Sequence, residues 1–284
     1  MHSHLLHQLT RFLGGLVAAY FFLLVILYFY QRRLQYFPDS SEVPALAGHE
    51  FQDIQNIELK APDGVRLLGW YWPGTLPVTL VMFHGNGGHR GHRIDWLTGF
   101  HRLGYGLFIL DYRGYGGSDG SPTEQGLYAD AETAIRWLQK NSQDRLTYFG
   151  ESLGCAVAIE MACRFPPATL ILQAGFASAD EIARQAYPYL PVGWLLKDRY
   201  DSRGKMRQLH CPVLMIHGNQ DSIISMQFGR RLFDLAQEPK EWLLISGGDH
   251  NDLPWVGGQV YWNSIDAFQR RRLGLDETGR DEKR

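Results

Sequence analysis

Twenty consecutive residues from Phe12 to Gln31 carry no charge and are dominated by Leu, Val, Phe, Tyr and Ala. At ~1.5 Å per residue a helix of that length crosses roughly the 30 Å hydrocarbon core of a bilayer. The run closes on Tyr28-Phe29-Tyr30-Gln31-Arg32-Arg33, aromatic rings followed by a basic pair, as at a membrane interface. A cleaved leader would have a shorter apolar core, about 7–15 residues, ending at a small-residue cleavage site. The pattern therefore predicts an uncleaved anchor over residues 1–34, transmembrane at about 12–31. Arg11 and the α-amino group nearly balance Arg32 and Arg33, so the charges set no orientation and the side of the catalytic domain stays open.

A linker follows over residues 35–50, rich in Pro, Ser and Ala between Pro38 and Gly48. The period then changes. Ile54 to Lys60 alternates, Ala61-Pro62-Asp63-Gly64 is a turn signal, and Val65 to Trp72 completes an antiparallel hairpin. Val78 to Phe83 is nearly continuous in apolar residues, as a strand buried on both faces must be. Five further short runs follow: Leu107 to Leu110, Leu146 to Phe149, Thr169 to Leu172, Val213 to Ile216 and Trp242 to Ile245. Between them lie segments with helical spacing, among them Glu124 to Leu138, Ser152 to Arg164 and Met226 to Leu235. The alternation predicts an α/β fold over residues 51–284, a mostly parallel sheet with helices on both faces. Residues 176–208 read as a short lid: Phe176, Tyr187, Tyr189, Leu190, Trp194, Leu195 and Leu196 cluster around Pro188 and Pro191. Core packing alone would account for about half of these, and an acyl-chain pocket is the functional alternative.

Composition changes this picture little. A chain of 284 residues, 45% hydrophobic, can build one large core. A net charge of −2 with no basic block in the body of the chain excludes a nucleic-acid footprint. Cys155, Cys163 and Cys211 are an odd count in apolar segments and read as buried free thiols.

In parallel sheets ligands meet the C-terminal ends of the strands, so the residues just after each apolar run are the informative ones. After Phe83 comes His84-Gly85-Asn86-Gly87-Gly88, and after Leu110 comes Asp111-Tyr112-Arg113-Gly114-Tyr115-Gly116-Gly117-Ser118. After Phe149 stands Gly150-Glu151-Ser152-Leu153-Gly154, and after Ile216 stands His217-Gly218-Asn219-Gln220-Asp221. After Ile245 comes Ser246-Gly247-Gly248-Asp249-His250-Asn251. Gly-x-Ser-x-Gly between a strand and a helix is the context of a nucleophile elbow: glycines clear the crowded turn, and the main-chain N–H of Leu153 opens a helix facing a developing oxyanion. Ser152 needs a base. Of 11 histidines, His2, His4 and His7 precede the span; His89, His92 and His101 read as an exposed helical stretch; His84 and His217 read as turn supports. His250 remains as the base. Asp221 is the acid placed to orient it, whereas Asp249 and Asp252 share the loop of His250 and read as loop caps. Asp111 and Asp130 are weaker rivals. His84, His89 and His92 lack the carboxylate or Cys partners of a zinc site, so no metal is expected.

These motifs, in this order, resemble the α/β-hydrolase superfamily over roughly Ile57 to Leu273. The Arg-Gly-Tyr-Gly run and the N-terminal anchor resemble its bud-emergence-type branch of membrane-anchored serine hydrolases. The resemblance implies a second oxyanion donor at the main-chain N–H of Asn86, and it assigns Asp111 to a structural turn with Arg113. Cys155 departs from the branch, which usually has a second Gly there, and so puts close helix-to-sheet packing in question. The function implied is a membrane-anchored serine hydrolase, without cofactor, that cleaves carboxylic esters or thioesters through acyl-Ser152, with lipid-derived acyl groups as the expected substrate class. A serine peptidase of the same fold and a non-catalytic membrane scaffold are the alternatives.

Overall fold

The computed structural model describes residues 2–275, so residues 276–284 of the expected domain lie outside the described residues. Eight strands form one sheet: β1 (Gln55–Lys60), β2 (Arg66–Trp72), β3 (Val78–Phe83), β4 (Gly106–Leu110), β5 (Arg145–Glu151), β6 (Thr169–Gln173), β7 (Val213–Gly218) and β8 (Lys240–Ile245). Their spatial order is β1-β2-β4-β3-β5-β6-β7-β8. The hairpin is antiparallel with Gln55 opposite Tyr71, and β2 also meets β4 antiparallel. All other pairs are parallel. The apolar runs become central strands because both faces are covered. Side chains alternate along a strand, so Leu80 and Met82 enter one core layer while Val81 and Phe83 enter the other.

Nine helices are described: α1 (His2–Gln35), α2 (Ile94–Arg102), α3 (Glu124–Asn141), α4 (Leu153–Arg164), α5 (Ala179–Ala186), α6 (Val192–Leu195), α7 (Arg203–Met206), α8 (Met226–Leu235) and α9 (Leu253–Leu273). One core layer takes Leu127, Ile135 and Val157 from α3 and α4, and the other takes Phe100 and Phe268 from α2 and α9. α1 outruns the expected span at both ends, and it is long and apolar enough to cross a membrane. The chain after it is stitched to the domain: Phe37–Pro38 pairs in parallel with Gly87–Gly88, and the Gly116 N–H donates to the Asp39 carbonyl at 2.8 Å.

Cys155 fits where the resemblance raised a question. It is fully buried, and its thiol lies 3.1 Å from the Gly150 carbonyl and 3.2 Å from that of Gln173. The expectation of three buried thiols is corrected at Cys163, which is exposed because it lies on the outer side of α4, and Cys211 is half-buried.

Candidate active site

The turn between β5 and α4 forces Ser152 into φ 52°, ψ −117°, a conformation that L residues adopt only under constraint from their surroundings. The glycines on either side admit that turn. A Cβ at Gly154 would fall 1.9 Å from the Phe83 carbonyl oxygen, and one at Gly150 would fall 2.6 Å from the Cys155 Cα. The elbow therefore presses directly on β3, and α4 begins with Leu153, whose N–H has no partner one turn back.

The loops after β7 and β8 deliver the other two groups. His250 Nε2 stands 3.0 Å from Ser152 Oγ, and His250 Nδ1 stands 2.8 Å from Asp221 Oδ2. With Nε2 facing a hydroxyl donor, the tautomer that satisfies both contacts carries its proton on Nδ1 and donates it to Asp221. Asp221 Oδ1 accepts the main-chain N–H groups of Ile223 and Ile224 at 3.0 and 2.7 Å. Burial alone would raise the pKa of Asp221, but hydrogen bonds from His217 and His250 outweigh it and hold the carboxyl well below the usual carboxylate range. The group is thus an anion fixed at the Nδ1 edge of the imidazole. Ser152 and His250 are both buried, so these contacts act where water screens them poorly.

Asp249 and Asp252 take the loop roles expected of them. Asp249 accepts from the Ser222 N–H and hydroxyl and from the His250 N–H, and Asp252 accepts from the Asp249 N–H. Asp111 and Asp130 are both committed to arginines. Asp111 and Arg113 share the turn after β4 but pair separately: Asp111 holds the Arg90 guanidinium and N–H, while Arg113 is held by Asp130 and Asp63. The guanidinium of Arg90 enters from the loop before α2 to meet Asp111, and the buried guanidinium of Arg113 lies between Asp130 and Asp63.

Asn86 is held on three sides. Its carbonyl accepts from the Phe37 N–H at 2.9 Å and the Tyr115 hydroxyl at 2.9 Å, and its side-chain amide donates to the Gln35 carbonyl at 3.0 Å. Its neighbour Gly85 donates its N–H to Glu151 Oε2 at 3.2 Å. Glu151 is itself gripped by Arg93 through Nε and Nη2, both at 3.0 Å, and Arg93 Nη1 donates to the Gly87 carbonyl at 2.8 Å. A buried ion pair thus clamps the glycine-rich loop to the Ser152 turn. Sequence reading missed Arg93, Glu151, Tyr115 and Phe37 in this role. Glu151 occupies the variable position of Gly-x-Ser-x-Gly, and nothing in the local pattern points to an arginine 58 residues away.

His89 is buried, against the expectation of an exposed stretch, because it caps the short turn Arg90–Arg93: its Nδ1 accepts the Gly91 N–H at 3.0 Å. His92 Nδ1 accepts the His89 N–H at 3.1 Å. Among the described residues these two rings and Asp39 form a group of metal-ligand type, and His84 is not part of it. Each Nδ1 lone pair is already used by a main-chain donor, so each neutral ring carries its proton on Nε2. In His89 that atom lies 3.5 Å from Asp39 Oδ2.

Residues 78–199 match the family model described as the alpha/beta hydrolase fold. An uncharacterized protein of Mycobacterium tuberculosis is 41% identical over 245 residues, covering 84% of this chain and 86% of that protein. A lysophosphatidylserine lipase of Danio rerio is 34% identical over 195 residues, 60% of this chain and 51% of the lipase. Among solved structures, an esterase of Pyrococcus furiosus superposes with a TM-score of 0.67 at 17% identity, covering 81% of this chain and 99% of the esterase.

Proposed function

We infer the function from one premise: this chain belongs to the α/β-hydrolase superfamily, and by family it is a hydrolase. The reading proposed is a membrane-anchored serine hydrolase that cleaves carboxylic esters or thioesters, with lipid-derived acyl groups as its substrates. The observation that carries it is the relay of Ser152, His250 and Asp221 at 3.0 and 2.8 Å, with one group from the end of each of three strands.

In this mechanism Ser152 Oγ attacks the acyl carbon while His250 Nε2 takes its proton. Asp221, already hydrogen-bonded to Nδ1–H, stabilises the imidazolium that results. The carbonyl oxygen, now an oxyanion, is met by the N–H groups of Leu153 and Asn86, each such donor being worth about 3 kcal/mol in the transition state. On collapse the bond to the leaving oxygen or sulfur breaks, and the imidazolium returns the proton to that atom. Water then repeats the cycle on acyl-Ser152, releasing the acid.

The lipid reading is supported by α1 and by the likeness to a lysophosphatidylserine lipase. The peptidase alternative uses the same relay, and the scaffold alternative leaves its geometry without a purpose. The domain limits proposed are an anchor over residues 1–34, a junction over 35–50 and the hydrolase domain from residue 51. The test is a panel of monoacylglycerol, lysophospholipid, acyl-thioester, short-chain ester and peptide-amide substrates with the purified full chain. Turnover of the long-chain acyl substrates is expected. Turnover confined to short soluble esters would remove the lipid assignment, and turnover of peptide amides alone would select the peptidase.

A further inference from the structure

The lid expected over the site makes a series of polar contacts with α1. The Tyr20 hydroxyl donates to the Tyr189 carbonyl at 2.8 Å. Gln31 Nε2 donates to the Leu195 carbonyl at 2.9 Å, and its Oε1 accepts the Lys197 N–H at 2.8 Å. Arg32 is paired with Asp198 at 2.7 Å, and Gln35 Nε2 donates to the Asp198 carbonyl at 3.0 Å. Lid residues of rising number thus meet α1 residues of rising number, and the strap from Tyr187 to Leu196 lies along the second half of the helix.

We propose that this strap is immersed in the bilayer leaflet that α1 enters, forming a second contact with lipid beside the anchor. The proposal rests on the anchoring read above, and three independent features of the strap carry it. The first is depth. Tyr20 and Gln31 are eleven residues apart, which at ~1.5 Å per residue is about 16 Å, or roughly half of a 30 Å hydrocarbon core. If residues 12–31 are the span, Tyr189 is held well inside it. The second is charge. Tyr187 to Leu196 contains no charged residue, and charges begin again at Lys197, Asp198 and Arg199, level with Arg32 and Arg33 of α1. The Lys197 ammonium lies 3.9 Å from the centre of the Tyr28 ring, a position from which a long basic side chain reaches the interface.

The third feature is the backbone. Irregular chain at membrane depth needs its polar groups satisfied within the protein. Pro188 and Pro191 have no N–H to satisfy. Leu190 donates to the Tyr187 carbonyl, Val192 to Leu190, Trp194 and Leu195 to Pro191, and Leu196 to Val192. The carbonyls of Tyr189, Gly193 and Leu195 accept from Tyr20, Arg199 and Gln31. The three aromatic side chains, by contrast, are left uncovered by protein. Trp194 is 91% exposed, Tyr189 67% and Tyr187 48%, whereas Phe176 at the base of the lid is buried. A backbone paired at Leu190, Val192, Trp194, Leu195 and Leu196, carrying uncovered aromatic side chains, suits an apolar solvent.

The experiment places an environment-sensitive nitrobenzoxadiazole label on the full chain in phosphatidylcholine vesicles, in a Cys163→Ser background, and quenches it with nitroxide-bearing lipids. The three labelled positions are Trp194→Cys on the strap, Val25→Cys on α1 and Lys140→Cys on the far side of α3. The expected result is strong quenching at positions 194 and 25, with position 140 behaving as in water. Quenching at 25 with 194 behaving like 140 would overturn the immersed strap and leave the anchor standing. No quenching at 25 would overturn both. As a second readout, Tyr189→Ser with Trp194→Ser is expected to lower turnover of a vesicle-embedded long-chain ester roughly tenfold relative to a soluble short-chain ester. An equal effect on both substrates would also overturn it.

Discussion

Replacing Glu151 by Gln removes one carboxylate oxygen from the clamp between the glycine-rich loop and the nucleophile turn. In the native chain Glu151 takes two N–H groups of Arg93 at 3.0 Å and that of Gly85 at 3.2 Å, with both side chains about nine-tenths buried. Glu151→Gln leaves the guanidinium buried without its counter-charge, a loss that runs to about 3–5 kcal/mol for buried pairs. Arg93 keeps the Gly87 carbonyl, so about 3 kcal/mol is expected. Denaturant unfolding of Glu151→Gln, Arg93→Met and the double variant measures it, and the double should cost less than the two singles together by about 2 kcal/mol. pH gives a second handle. Burial would raise the pKa of Glu151, but Arg93 outweighs it and holds it below its ordinary value of 4.5. A lowered carboxylate pKa means stability that is fully present above the unfolded value and is lost as pH falls through the folded one. The gap between native and Glu151→Gln should therefore be full at neutral pH and shrink once pH drops below about 4.5. Because Gly85 precedes Asn86, kcat should fall as well, by less than the roughly 10²–10³-fold that follows outright loss of an oxyanion donor. Strictly additive singles, or a gap unchanged down to the acid limit, would refute the clamp.

Asp221→Asn should keep the fold, since an amide oxygen can still accept from Ile223 and Ile224, but it should lower kcat on the order of 10⁴-fold, as loss of the orienting anion does in serine proteases. A fluorogenic ester assay alongside thermal unfolding separates the two effects. Tyr115→Phe removes one of the two donors on the Asn86 carbonyl and should lower kcat about fivefold with KM nearly unchanged, the effect of one hydrogen bond of ~1 kcal/mol. A change in KM alone would place Tyr115 in substrate binding instead.

The central strands were legible because burial on both faces leaves a period-free apolar run. β3 and β6, buried along their whole length, are examples. Ser152, Asp221 and His250 could be picked out because ligands in a parallel sheet meet the ends of the strands, and the structure brings those three side chains within hydrogen-bond reach. The contacts that sequence could not supply share one physical character: they join charges or caps with no periodic relation. Arg93 with Glu151 and Arg90 with Asp111 are pairings of this kind, and so is the α1–lid contact of Arg32 with Asp198. His89 was misread for the same reason, since a ring that caps a short turn leaves no trace in hydrophobic spacing.

The central claim is that Ser152 is a nucleophile activated by His250. A fluorophosphonate probe applied to the full chain, native and Ser152→Ala, tests it most directly, with His250→Ala as a second variant. The account predicts covalent labelling of the native protein, none in Ser152→Ala, and labelling slowed by several orders of magnitude in His250→Ala. Labelling that persists in Ser152→Ala, or a folded native chain that takes no label, would contradict it.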